Sequence, residues 1–249
     1  QEYAHQSLPA GFTLPNRDRL RSRGVSFDHH YATTSVCTPS RSVMLTGRHT
    51  PHTGMFDNTN FAWIDDMKAD PEALPTIGHM LRDLGYYTVY KGKWHLSELP
   101  TEDSRESMAP YGFSEYQEWG DAQGRPLDGF LKDPIIAEEA AEWLTGRAPE
   151  VAATQPWFMA VNFVNPHDVM FFDTDGAETV QANSMFPIVD APDVPLYQQK
   201  WQTALPGSFL DDLEAQPPAV RSYEALCDVY YGPIPMERRD MWHNHVNYY

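Results

Sequence analysis

The stretch "LPTIGHMLRDLGYYTVYKGKWHLS", residues 74–97, decides how this chain is read. Ile77, Met80, Leu81 and Leu84 fall at helical spacing, so the spacing predicts a helix with one apolar face. Gly85 supplies its stop, and the apolar run Tyr86–Tyr90 then reads as extended chain. A helix closed by glycine and followed at once by a strand is half of an alternating α/β pattern. "DPIIAEEAAEWLTG", residues 133–146, supplies another helix, with Ile135, Ile136, Ala140 and Leu144 as its stripe. "QPWFMAVNFVNPHD", residues 155–168, supplies another strand, near-continuously apolar as a strand buried on both faces is.

Working outward, "LPNRDRLRSRGVSFDHHYAT" (14–33) predicts a short helix ended by Gly24 and an extended run from Val25 towards Tyr31. "TPSRSVMLTGR" (38–48) predicts a helix with Pro39 at its first position and Gly47 as its stop. Cys37 then lies just before a helix N-terminus. The expected fold is α/β, a mostly parallel sheet with helices on both faces. Ligands in such sheets bind beyond the C-terminal ends of strands. Two of those ends carry chemistry here, "KGKWH" (91–95) and "NPHD" (165–168). From Met170 to Pro218 the chain is irregular and proline-rich, an excursion over the surface. "ERRDMWHNHVNYY" (237–249) opens an amphipathic helix and stops in mid-pattern.

The bulk properties exclude several partners. The 249 residues carry a formal net charge of −17, with 35 acidic against 18 basic side chains. Nucleic acid and anionic membrane surfaces need the opposite balance. No apolar run reaches the eighteen residues of a membrane span, and "QEYAHQSLPAG" has neither the basic start nor the apolar segment of a leader. The composition is that of a soluble globular protein; the compartment, cytoplasm or periplasm, is left open, as is homo-oligomerisation. An anionic substrate stays compatible, provided that a few basic groups converge locally. Cys37 and Cys227, far apart, form no disulfide framework and no C-x-x-C metal spacing.

A lone cysteine is most often a small buried hydrophobe. Ahead of a helix, with Arg41 one turn on, Cys37 gains another reading. Helix N–H groups and the dipole favour an anion there, and Arg41 offers a planar fork to an oxyanion. From charge alone, a thiolate nucleophile follows. Cys37-Thr38-Pro39-Ser40-Arg41, followed by Met44-Leu45-Thr46-Gly47-Arg48, resembles the signature of the type I sulfatases, formylglycine-dependent members of the alkaline phosphatase superfamily. The resemblance extends to "LRSRGVSFDHHYATTSVCTPSR", to "GKWH" and to a strand ending in Pro-His, and so covers most of the chain.

The resemblance implies that Cys37 is oxidised by a formylglycine-generating enzyme to an aldehyde, and that its hydrate attacks the sulfur of a small anionic sulfate ester. One oxygen of the hydrate sits on a divalent metal, calcium before manganese or magnesium, which makes position 37 a metal ligand as well as the nucleophile. The other hydroxyl lets the intermediate collapse and expel sulfate. By motif position Lys93 contacts the substrate's anionic oxygens or the hydrate, His95 is the base that triggers collapse, and His167 stands near the leaving group. His29-His30 and His49-x-x-His52 lack partners at metal spacing. Asp57-Asn58 reads as a substrate contact or simply a turn, and Asp168 as a group that orients the His167 imidazole or caps the next turn.

The family's metal-binding aspartate strand precedes its signature, and an Asp-Asn or Asp-His pair with glycine and a later lysine follows it; neither is in this sequence. Gln1 resembles the residue after that aspartate, and the expectation is one catalytic domain, 1–249 being part of it and incomplete at both ends. On that expectation these residues alone neither hold the metal tightly nor turn over. Three rivals accompany the sulfatase reading. They are a phosphonate monoester or phosphodiester hydrolase with the same nucleophile, an inactive fragment with Cys37 as a thiol, and a metal-free cysteine hydrolase.

Overall fold

The structure is a computed structural model that describes residues 13–27, 29–59, 61–99, 104–173, 189–190, 192–195 and 211–231. The chain divides into two compact units, one of residues 31–167 and one formed by 1–30 with 168–249.

The first unit holds the helices and strands that position the chemistry. Its first helix, α1, runs Cys37–Thr46 and ends on Gly47 in the left-handed region at φ 67°. Its N-cap is Val36, so Cys37 is already helical, two positions earlier than Pro39 suggests. Proline is tolerated there because the first turn has no intrahelical partner for its missing N–H. A single turn, α2 (Thr50–Thr53), follows. Thr76 starts α3 (Ile77–Asp83): its side chain accepts from the N–H groups of Gly78 and His79, while the His79 ring accepts from its own N–H. The chain then turns through Gly85 into β1 (Tyr87–Gly92). Helix α4 spans Asp128–Glu142, five residues earlier in its start than Asp133, and tolerates Pro134 inside its second turn. A π turn (Trp143–Arg147) and α5 (Ala148–Ala152) lead to β2 (Trp157–Asn162).

Strands β1 and β2 pair in parallel from Tyr87 opposite Trp157 to Gly92 opposite Asn162. Their side chains alternate between two clusters, as period two requires. Val89 packs with Tyr87, Trp157 and Met159 against Trp143, Ala148 and Val151. Tyr90, Phe158 and Ala160 face the larger cluster of Leu45, Met67, Trp94, Met108, Phe113 and Tyr116.

The expectation of a mostly parallel sheet with helices on both faces is corrected by this topology. Among the described residues the sheets are two separate parallel pairs, β1 with β2 and, in the other unit, β3 (Phe172–Asp173) with β4 (Val189–Asp190). The fold is a mostly helical α/β arrangement around a small, unclosed pair. The run from Val25 towards Tyr31 forms no strand among its described residues, and Val25, Phe27 and Tyr31 are 79–81 % exposed. Apolar residues without a surface to cover give a strand no reason to form. Nor is β2 buried on both faces: most of it is half-buried and Val161 is exposed.

The second unit contains α6 (Pro15–Arg21), the pair β3–β4, a 3-10 turn at Leu213–Ala215 and α7 (Pro218–Tyr231). The helix expected before Gly24 is α6. Most of the 170–218 excursion, Gln1 and the 237–249 segment lie outside the described residues. No helix among the described residues is long and apolar enough to cross a membrane.

Candidate active site

The five residues given catalytic roles, Cys37, Arg41, Lys93, His95 and His167, all belong to the first unit. Trp94 explains how two of them come to face one point. Its indole is fully buried, edge-on to Tyr90 at 5.5 Å and hydrogen-bonded to the Ser97 hydroxyl at 2.9 Å. With the middle residue of Lys93-Trp94-His95 anchored in the core, its two neighbours both act on Cys37. Lys93 brings its ammonium to 3.9 Å from the Cys37 sulfur. Both Lys93 and His95 are buried, so they act on Cys37 where water screens little.

His95 has a left-handed backbone, φ 53°, which a non-glycine residue adopts only when its surroundings impose it. The Asp121 carboxylate imposes it from one side, accepting from the N–H of Trp94 at 2.7 Å and of His95 at 2.8 Å. From the other side the Thr38 hydroxyl donates to the His95 carbonyl at 2.8 Å. Thr38 is the residue after Cys37, so one hydrogen bond fixes the start of α1 to the histidine loop. The Thr38 N–H in turn donates to the Asn58 side chain at 2.9 Å, which supplies the cap that Val36 cannot. Asn58 is thus a cap on α1, a role that the reading of Asp57-Asn58 as a turn or a substrate contact does not include.

Arg41 is tied to the Lys93 backbone. One guanidinium nitrogen donates to the Lys93 carbonyl at 2.8 Å, and the Tyr90 hydroxyl donates to the same oxygen at 2.8 Å. Burial raises the Tyr90 phenol far above its usual range, so it stays a donor. His167 comes from the other strand end. Its ring packs so closely on Gly124 that a Cβ there would stand 2.6 Å from Nδ1.

The Cys37 thiol is the focus of these groups. Partial burial alone pushes it up, but hydrogen bonds from His167 and His95 and the charges of Lys93 and His167 outweigh that and bring it down to about 5. The structure therefore gathers Cys37, Lys93, His95 and His167, and ties Arg41 to them through the Lys93 backbone. Chemically this is a half-buried anion site at a helix N-terminus, ringed by cationic and N–H donors.

A hard cation needs several oxygen ligands. Among the described residues no group of three or more His, Cys, Asp and Glu side chains is placed to hold a metal, and a lysine beside Cys37 repels one. The described residues do not by themselves fit a resident cation.

A family model described as Sulfatase matches residues 9–223. The chain belongs to the type I sulfatase family. It is 42 % identical to human arylsulfatase H over 34 % of this chain and 16 % of that protein. It is 24 % identical to the uncharacterized sulfatase YidJ of Escherichia coli over 91 % of this chain and 50 % of that protein. An N-acetylglucosamine-6-O-sulfatase of Bacteroides thetaiotaomicron is 28 % identical over 61 % of this chain and 26 % of its own length. The chain thus spans half or less of each of these relatives. In fold it is similar to a crystal structure of a sulfatase-family protein from Bacteroides thetaiotaomicron, with a TM-score of 0.53 at 22 % identity over 93 % of this chain and 47 % of the other.

Within the sulfatase frame, sequence reasoning missed the residues that hold the site together. Asp121 and Thr38 act on the His95 backbone, and Asn58 on that of Thr38. Gln117 fixes Gly92 through both its N–H, at 2.7 Å, and its carbonyl, at 3.0 Å. None of these stands at a spacing that signals its partner; only the three-dimensional pairing shows it.

Proposed function

We propose that this chain carries the nucleophile of a sulfuric ester hydrolase, with residue 37 converted to formylglycine and 1–249 forming part of one catalytic domain. The observation that carries the reading is the convergence of Lys93, His95 and His167 on position 37 at the first turn of α1. A group that stabilises a thiolate there also favours a hydrated aldehyde's anionic oxygen, which formylglycine supplies as the attacking group. Lys93 then holds the anionic oxygens of the ester and withdraws charge from sulfur as the bond to the alcohol breaks. His167 is the candidate acid for the leaving alcohol and His95 the candidate base for the hydroxyl that remains. Arg41 keeps the Lys93 backbone in place.

A small anionic sulfate ester is the proposed substrate and a formylglycine-generating enzyme the proposed maturation partner. A divalent cation, calcium first, enters this reading through the family resemblance alone. The test is the mass of the peptide spanning Val36 to Arg41 from the native host, combined with paired aryl sulfate and aryl phosphonate assays on the full-length protein. Formylglycine makes the peptide lighter, because oxygen replaces sulfur and hydrogen is lost. A lighter peptide with sulfate turnover is the expected result; preference for the phosphonate favours the phosphorus-ester reading, and an unmodified thiol contradicts the proposal.

A further inference from the structure

Each of the two strands among the described residues of the first unit ends in a loop that carries one histidine, and each loop is gripped by one carboxylate through two successive backbone N–H groups. Beyond β1, Asp121 accepts from Trp94 at 2.7 Å and His95 at 2.8 Å. Beyond β2, Asp133 accepts from Val164 at 2.7 Å and Asn165 at 3.0 Å. Neither carboxylate comes from the loop that it grips. Asp121 belongs to the segment after Tyr116, whose buried hydroxyl lies 3.4 Å from it, and Asp133 to helix α4.

Helix α4 reaches the second loop at two further points. A Cβ on Gly129 would stand 2.4 Å from the Asn165 side chain, so the helix backbone lies directly on that residue. The Asp128 carboxylate accepts from the Gly124 and Arg125 N–H groups, at 3.2 and 2.8 Å, and so fixes the turn on which the His167 ring packs.

We propose that Asp121 and Asp133 are positioning residues, paired carboxylate clamps that set His95 and His167 at the ends of β1 and β2. The geometry explains the bidentate form. A carboxylate accepting from two neighbouring N–H groups fixes the plane of the peptide between them, and therefore the direction in which the next side chain leaves the backbone. For His95 that direction includes the left-handed φ of 53°, which the chain would otherwise relax. For His167 the clamp acts two residues upstream, and Gly124 closes on the ring from the other side. The ionised carboxylate is essential: an amide of the same shape keeps one acceptor and turns its other end into a donor facing an N–H.

The inference rests on the proposed sulfatase reading only for its effect on turnover. It is tested first without activity, by hydrogen exchange resolved to single amides. In the parent chain the N–H groups of Trp94, His95, Val164 and Asn165 exchange slowly. In Asp121→Asn only the first two lose protection, in Asp133→Asn only the last two, while Val89 and Tyr90 in β1 keep theirs. In the full-length enzyme assayed on an aryl sulfate, each variant lowers kcat by about 100-fold with KM moved less than about threefold, the signature of a displaced group rather than of lost binding. Asp→Glu at either position restores part of it. Fast exchange of the four amides in the parent chain overturns the inference even if no variant folds. Loss of protection spread evenly over β1, or an unchanged kcat with the clamp amides deprotected, overturns it as well. A parent enzyme inert towards sulfate esters contradicts the function instead, and leaves the exchange result to decide the clamps.

Discussion

Cys37 sums up the chemistry of the site at the scale of one residue. Its ordinary thiol value of 9.0 falls to about 5 because hydrogen bonds from two histidines and the charge of Lys93 outweigh burial. In chain that has not been converted to formylglycine, peptide-resolved alkylation of Cys37 therefore reaches half its maximal rate near pH 5, and denaturation returns the midpoint towards 9. The sign for stability follows from the lowered value. The ionised thiol is favoured by the fold, so its contribution is full above pH 9, shrinks as pH falls and is gone below about 5. Urea midpoints of the parent and of Cys37→Ala accordingly diverge as pH rises from 5 to 9; a constant difference contradicts the electrostatic account. This residue was legible in the sequence because its neighbours Thr38 to Arg41 form a motif. The roles of Asp121 and Asn58 were not, since each acts on a backbone group twenty or more residues away.

At the scale of elements, the local signals were read well and their partners less so. Thr76 and Gly85 bracket a helix whose caps depend on nearest neighbours, and α3 lies where spacing puts it. Strand pairing depends on distant chain, and there the sheet was overdrawn: the apolar run at Val25 finds no surface, and β2 is half-exposed. Gly92 shows what joins the one pair that carries the site. It has φ 91°, and a Cβ would stand 2.0 Å from the Asn162 carbonyl oxygen. Gly92→Ala is expected to cost at least about 3 kcal/mol, from backbone strain and forced separation of the strands. Gly120→Ala, at φ 88° with open space around it, meets the backbone penalty alone, about 1 kcal/mol. Equal urea midpoints for the two variants would refute the close approach.

On the scale of the whole molecule, a net charge of −17 surrounds a site built from lysine, arginine and histidine. The local field, not the total, favours an anion at position 37, while the total opposes polyanions. The chain is expected to pass through immobilised heparin at physiological ionic strength; retention there would reveal a basic face that the composition does not suggest. The cation that the family implies is tested on the full-length protein, where chelation abolishes turnover of an aryl sulfate and added calcium restores it. Turnover undiminished by chelation would remove the cation from the account. The most direct measurement compares aryl sulfate hydrolysis by the full-length enzyme, matured in its native host, with that of its Cys37→Ala variant. The account predicts turnover in the first and a loss of at least about 1,000-fold in the second, since the attacking atom is gone; equal rates would contradict it.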